Sequence, residues 1–300
     1  MSYIDDCYLQ GSSYEECLDN VIKTIQLFHK LGFVIHPKKS VLLPTQSIKF
    51  LGFNLDSRSM KICLTADRKQ SIKNDCHMLL GTRHPEIRDV ARVLGKITSS
   101  FPGVKMGPLH YRCLDMNKTE ALKNARGNYN KKMILSDDAK NDLTWWLDNV
   151  ENSFNVVDRG KPDITVTSDA SKTGWGCTCN GQKSGGVWTP DEAMHHINYL
   201  EMKAAFFAIK SFLRDLSNKH VKLMVDNTTV VACLNKMGTN HSIPCNNLTR
   251  EIWQFCLEHS IWITTVHIAG IDNSEADWES RNSSRGAEWA LNVEIYTHRL

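Results

Sequence analysis

Four acidic residues and one histidine in the second half of the chain are of the types that metal-assisted phosphodiester hydrolysis uses, and they stand at the ends of patterned elements. Asp169 closes the β-branched run Val166-Thr167-Ser168. Glu201 lies early on a helix-patterned stretch that would bury Leu200, Ala204, Phe207 and Ala208. Asp226 ends the run Val221–Val225, and Asp277 stands at a helix start in Asn273-Ser274-Glu275-Ala276-Asp277. Taken singly, each has an ordinary explanation as a turn residue, the flank of an apolar stripe or an N-cap. Taken together, each ends or faces a core element. Four converging carboxylates would repel one another and raise each other's pKa values. Two Mg²⁺ ions, with Mn²⁺ able to replace them, would remove that cost. A pair of such ions about 3.5–4 Å apart clamps the attacking water and the leaving oxygen of a phosphodiester. His267, in the loop-like stretch Val266-His267-Ile268-Ala269-Gly270, would protonate the leaving group or help product depart.

The elements that must position these groups follow from hydropathy patterning. Strands are expected over 163–169, 174–180, 185–189, 221–226 and 261–267, and helices over 198–216, 228–237, 244–259 and 274–281. The order is β-β-β-α-β-α-α-β-α, a mixed α/β unit. Cys177 and Cys179 alternate within one strand and so share a face.

Ahead of this unit, Tyr3-Ile4-Asp5-Asp6 reads as a tight hairpin with carboxylates at its tip, although its first run is too short for a stable strand. Ser13-Tyr14-Glu15-Glu16 is a capping box, and Gly32 ends the helix that follows. Val41–Leu43 and Ile48–Phe53 are β-like. Helical patterns run from Thr65 through Leu80 and from Ile87 to Ser99, until Pro102, Gly103, Gly107 and Pro108 interrupt them. Residues 117–133 are polar and basic, a short helix starts at Ser136, and 151–162 reads as a linker.

Charge divides the chain unevenly. Residues 61–133 hold 15 Lys and Arg against 6 Asp and Glu, whereas residues 163–283 hold 10 against 13. A phosphate-gripping region beside a carboxylate site that needs cations accounts for this, as do two solvated surfaces of differing composition. The 10 cysteines include no CxxC pair, which suits reduced thiols in an intracellular protein, cytoplasmic or nuclear. No apolar run approaches the ~18 residues of a membrane span, and the N-terminus does not read as a signal peptide.

The motifs carry a resemblance. Ser168-Asp169-Ala170-Ser171 with Gly174-Trp175-Gly176, Leu200-Glu201, Val225-Asp226-Asn227, and His267-Ile268-Ala269-Gly270 with Asn273 and Ala276-Asp277 resemble the ordered D…E…D…D motifs of retroelement ribonuclease H. Retroviral-type integrases end their triad in Glu, which separates them from this pattern. Tyr3-Ile4-Asp5-Asp6 resembles the YxDD motif of reverse transcriptases. The stretches 32–40 and 48–53 resemble the helix end and primer-gripping hairpin that follow it. Residues 87–114, with Arg92-Val93-Leu94-Gly95-Lys96 and Gly107–Arg112, resemble the thumb of DIRS-type (gypsy-related) retrotransposon polymerases, and Leu143-Thr144-Trp145-Trp146 resembles their connection.

The resemblance implies an α/β (α+β) fold: a partial polymerase palm and thumb, then a ribonuclease H-like mixed five-stranded sheet flanked by helices. The implied divisions are a palm remnant over 1–62, a helical thumb-like region over 63–135, a connection over 136–162, the ribonuclease H-like domain over 163–283 and a tail over 284–300. Asp169, Glu201, Asp226 and Asp277 would hold metal, with His267 assisting. Ser171 and Asn227 are candidate contacts to an RNA/DNA hybrid, and Arg92, Lys96 and Arg112 would follow the nucleic-acid backbone. A polymerase palm also needs an aspartate on a strand upstream of the YxDD hairpin, and only Met1 and Ser2 precede Tyr3. The expectation is therefore a copy truncated at that motif, with Asp5 and Asp6 as a polymerase remnant and no DNA polymerase activity from this chain alone. The alternative left open is a non-catalytic nucleic-acid-binding remnant of a retrotransposon polyprotein.

Overall fold

The first acidic pair sits in a hairpin of minimal length. The structure, a computed structural model, describes residues 2–213 and 216–282; the expected tail over 284–300 lies outside them. β1 (Ser2–Tyr3) and β2 (Asp6–Cys7) pair antiparallel in the register Ser2↔Cys7 and Tyr3↔Asp6. Asp5 takes the turn and Asp6 the returning strand, both exposed. In α1 (Tyr14–Lys30), Ser13 Oγ accepts the Glu16 amide at 3.1 Å. The Glu16 carboxylate turns to the Ser12 amide at 2.7 Å rather than to Ser13, so only one arm of the expected capping box forms. Gly32, at φ 83°, ends the helix, and the Phe33 amide closes it on the Phe28 carbonyl at 2.9 Å.

Two expectations in this region need correction. Val41–Leu43 forms no strand. The run Ile48–Phe53 is not one strand but a hairpin: β3 (Ser47–Phe50) and β4 (Phe53–Asp56) join through Leu51 and Gly52 at φ 49° and 79°. Two left-handed residues match the strand twist in such turns. β5 (Lys61–Leu64) continues the meander, and β6 (Asn155–Val156) pairs with it, so the presumed linker 151–162 completes a four-stranded sheet.

A helical region packs beside that sheet. α2 (Ala66–Gly81), α3 (Ile87–Thr98), α4 (Arg112–Asn124) and α5 (Asp137–Asn149) share a core containing Ile72, Leu79, Ile97, Leu114, Leu143 and Trp146. The short helix expected from Ser136 is present as α5, and Leu143, Trp146 and, at its C-cap, Val150 are fully buried. α4 goes unsignalled because only Arg112 and Leu114 of its residues are buried. Its first turn is fixed from outside: Asp142 Oδ2 accepts the Cys113 and Leu114 amides at 2.9 and 3.1 Å. A carboxylate satisfying orphan amides at a helix N-terminus is favourable for both hydrogen-bonding and dipole reasons.

The second half follows the expected order, with boundaries shifted by a few residues. It contains β7 (Ile164–Ala170), β8 (Gly174–Cys179), β9 (Gln182–Val187), the single turn α6 (Pro190–Ala193) and α7 (Ile197–Leu213). β10 (His220–Val225), α8 (Thr228–Asn235), α9 (Ile243–Glu258), β11 (Trp262–His267) and α10 (Ser274–Asn282) complete it. The sheet order is β11-β10-β7-β8-β9; β10 runs parallel to both its neighbours, and β7, β8 and β9 are antiparallel. The architecture is thus the expected α/β class, a five-stranded mixed sheet flanked by helices. α7 meets one face through Phe207 on Trp175, ring centroids 5.0 Å apart. α10 meets the other face at Gly176, the next residue of β8. Cys177 and Cys179 are both buried, two residues apart on that strand. Among the described residues, no helix is long and apolar enough to cross a membrane.

His110 lies where the helical region meets the second half, stacked on Trp145 with centroids 4.1 Å apart. Burial, with the nearby Arg250 charge, holds its pKa down from 6.5 to about 3. Between those values the unfolded chain binds a proton that the folded chain does not, so stability is full above pH 6.5 and falls as pH drops towards 3. Urea unfolding at pH 4.5 and 7 is expected to show His110→Phe losing less stability than the parent on acidification. Equal losses would refute this.

Candidate active site

Parallel pairing of β7 and β10 in the register Val225↔Ser168 places the residues after them, Asp169 and Asp226, side by side at the strand ends. α7 crosses the same edge and brings Glu201 to them. One ligand oxygen from each of Asp169, Glu201 and Asp226 lies within 4.8 Å of the others. Asp169 and Glu201 are 4% and 6% exposed, and Asp226 is half-buried.

The electrostatics are those of a site short of positive charge. Burial, then the charges of Asp169 and Asp226, push Glu201 from 4.5 to about 9. Burial likewise raises Asp169, partly offset by a hydrogen bond from Ser280 and reinforced by the charges of Asp226 and Asp277. Glu201 Oε2 is buried and has no hydrogen-bond partner among the described residues. A buried carboxylate oxygen without a donor is costly unless something else satisfies it. An oxygen-seeking divalent cation fits this donor set, so the three carboxylates can hold one.

The fourth expected ligand stands apart. Asp277 is not among the converging oxygens; its Oδ1 accepts Arg281 Nε at 2.7 Å and lies 2.6 Å from Nη2 of the same guanidinium. Its helix is nevertheless seated tightly on the site. A Cβ on Gly176 would lie 2.5 Å from the Ser280 amide, so only glycine lets α10 approach β8 this closely. Ser280 Oγ then donates to Asp169 Oδ2 at 2.6 Å, and Asn273 Nδ2 donates to the buried Ser168 carbonyl at 3.1 Å. Ser280 went unnoticed in the sequence, although its position three residues after Asp277 puts it on a neighbouring part of the helix surface.

His267 is the last residue of β11, not part of a loop, and its side chain is exposed. It pairs in register with Val225, the residue before Asp226. Asn227 caps α8, accepting the Thr229 and Val230 amides at 2.9 and 3.2 Å, and its Nδ2 donates to Asn198 Oδ1 at 3.0 Å. Ser171 Oγ donates to the Ser280 carbonyl at 2.7 Å and accepts the Gly174 amide at 3.0 Å. Both side chains are partly exposed and bond to the protein beside the carboxylates.

The candidate backbone contacts divide. Arg92 is exposed and meets Asp89 at 3.4 Å. Lys96 reaches Asp75 at 2.5 Å and Ser71 Oγ at 2.8 Å, with its side chain 38% exposed. Arg112 is a correction: it is 7% exposed and bonds internally to the Lys236 carbonyl and Asn240, so it is not a surface cation. Asp5 and Asp6 join no metal-ligand group among the described residues.

No protein-family model matches the sequence, and no curated protein does. Several solved structures are similar. A foamy viral protease–reverse transcriptase in complex with RNA/DNA hybrid shares 14% identity over 89% of this chain and 35% of that one, with a TM-score of 0.44. RNase H1 from the halophilic archaeon Halobacterium salinarum NRC-1 shares 14% over 40% of this chain and 96% of that one, at 0.34. LC11-RNase H1 in complex with RNA/DNA hybrid shares 17% over 39% and 93%, also at 0.34. The chain spans about a third of the foamy viral protein's length.

A raised carboxylate pKa makes a stability prediction. Glu201 ionises near 4.5 when unfolded and about 9 when folded, so the metal-free protein loses stability as pH rises across that window. At pH 8 in chelator, Glu201→Gln is expected to melt higher than the parent, by about 2–4 °C for each kcal/mol relieved. Near pH 4 the two should coincide, and Mg²⁺ should raise the midpoint of the parent alone. A Gln variant that melts lower at pH 8 would show that the carboxylate is satisfied within the protein.

Proposed function

We propose that the second half of this chain is a metal-dependent endoribonuclease of the ribonuclease H type, cutting the RNA strand of RNA/DNA hybrids. The observation that carries the reading is the convergence of Asp169, Glu201 and Asp226 with a buried Glu201 oxygen that none of the described residues satisfies. The ordered motifs through Asp277, with the thumb-like stretch 87–114 and the connection-like Leu143-Thr144-Trp145-Trp146, support the finer reading, a DIRS-type retrotransposon reverse transcriptase with a ribonuclease H domain. No chemistry is assigned to Asp5 and Asp6, which lie exposed on a two-residue hairpin.

Asp169, Glu201 and Asp226, with Asp277 at the edge, are the residues that would hold two Mg²⁺ ions, or Mn²⁺ in their place. When bound, such ions lower the pKa of a bound water and offset charge on the phosphate and leaving oxygens. The protein's own contribution is placement. The β7–β10 register fixes Asp169 beside Asp226, and Ser280 orients the Asp169 carboxylate. A water oxygen forms the new bond to phosphorus as the bond to the 3′ oxygen breaks, leaving a 3′-OH and a 5′-phosphate. His267, exposed beside this edge, supplies the proton the departing 3′ oxygen takes up. Selection of RNA rests on the 2′-OH and on the shape of the hybrid rather than on base edges. Arg92, Lys96 and the other exposed cations of 61–133 hold the backbone, so binding weakens as salt rises.

The test is cleavage of a labelled RNA/DNA hybrid with Mg²⁺. Asp169→Asn is expected to reduce it by at least the roughly 10–100-fold that loss of an outer-shell metal partner costs. Binding without cleavage by the parent protein would establish the non-catalytic alternative, and cleavage untouched by Asp169→Asn would remove the site.

A further inference from the structure

The helical region and the carboxylate-bearing half are joined by interlocked polar contacts. Asp142 of α5 is 2% exposed, and its Oδ1 meets Arg250 Nη2 of α9 at 2.6 Å. Arg250 Nε also donates to the Leu109 carbonyl at 3.1 Å, and Leu109 itself belongs to the apolar core of the second half. In the opposite sense, Arg112 at the start of α4 donates Nη2 to the Lys236 carbonyl at 2.9 Å and Nη1 to Asn240 Oδ1 at 3.3 Å. Asn240 Nδ2 returns to Asp115 Oδ2 at 2.6 Å. On the β11 edge, the Arg159 guanidinium lies 3.5 Å from the Trp262 ring centroid, with Lys105 Nζ at 4.7 Å.

Stability alone does not account for such a lock. Apolar residues of similar volume often replace a buried ion pair at no loss, whereas breaking one partner is strongly destabilising. What the charged arrangement adds is orientation. Asp142 holds the first turn of α4 with one oxygen and α9 with the other. A rotation of the carboxylate-bearing half must therefore break the Arg250 pair or pull that turn apart.

We propose that Asp142, Arg250 and Arg112 are positioning residues that set where the nucleic acid is cut. This rests on the hybrid-cleavage reading above. A duplex gripped by the basic helices reaches Asp169, Glu201 and Asp226 at a distance fixed by the lock, so cleavage falls at a set position from the gripped end.

The experiment maps products of an end-labelled hybrid to single nucleotides. Asp142→Asn keeps an acceptor for the Cys113 and Leu114 amides while removing the charge facing Arg250, and Arg112→Met loosens the lock at a second point. Thermal unfolding confirms that each variant folds. The parent is expected to give a principal product at a fixed distance from the hybrid end. Each variant should lose on the order of tenfold at that position, a modest misplacement of reacting groups being enough, and spread its cuts to neighbouring positions. On a hybrid too short to reach the basic helices, Asp142→Asn should turn over as the parent does. Arg250→Lys, which keeps a charge facing Asp142, should retain more of the principal product than Arg250→Met. Folded Asp142→Asn and Arg112→Met variants that cut at parental positions in parental proportions would overturn the proposal. So would a parent protein that cuts hybrids evenly along their length, which would leave the nuclease reading intact. A parent that cuts no hybrid overturns both.

Discussion

Three carboxylates are held closer together here than their charges favour in a site screened from water. Glu201 responds by moving to about 9, and Asp169 by moving in the same direction. Folding can maintain such an arrangement only through elements too rigid to let the groups separate. Two parallel strands in fixed register supply Asp169 and Asp226, and a helix packed across their ends supplies Glu201. None of these can yield without disturbing the central sheet, so the repulsion is carried as a standing cost until a cation offsets it.

The second support is the seating of α10. Its closest approach is over Gly176, where any side chain would meet the helix backbone. That contact delivers Ser280 to Asp169 and Asn273 to the Ser168 carbonyl, so the strand carrying the first carboxylate is held from the face opposite α7. The Gly174-Trp175-Gly176 stretch thus serves both faces of the sheet: the indole packs against Phe207 of α7, and the glycine receives α10.

Much of this was legible in the sequence, for identifiable reasons. β10 and β11 announce themselves by period, because alternate residues along them are buried. The carboxylates were legible because they sit at the ends of patterned elements. What failed to show depends on partners distant in the chain. α4 owes its start to Asp142 and buries little of its own surface, so residues 117–133 look merely polar. β6 is two residues long and exists only because β5 lies open to it. The hairpin at Leu51-Gly52 hides inside an apolar run that reads as one strand. Arg112 looks like any surface cation until its partners at Lys236 and Asn240, more than a hundred residues away, are known.

A polar residue near a candidate site is therefore weak grounds for assigning it a ligand; the useful question is whether the protein has already satisfied it. Ser171, Asn227 and Arg112 all bond internally, and their burial or position follows from those bonds. Asp142 is 2% exposed, yet two amides and a guanidinium satisfy it, so its burial requires no bound ligand. Glu201 is the opposite case. It is 6% exposed, crowded by like charges, and has an oxygen with no donor among the described residues. No gain in packing or hydrogen bonding explains keeping a carboxylate there, since an apolar residue or a glutamine would relieve the strain. A buried carboxylate crowded by like charges, with an oxygen that no described residue satisfies, is best explained by what it binds, and this sets Glu201 and the two aspartates facing it apart from Asp142.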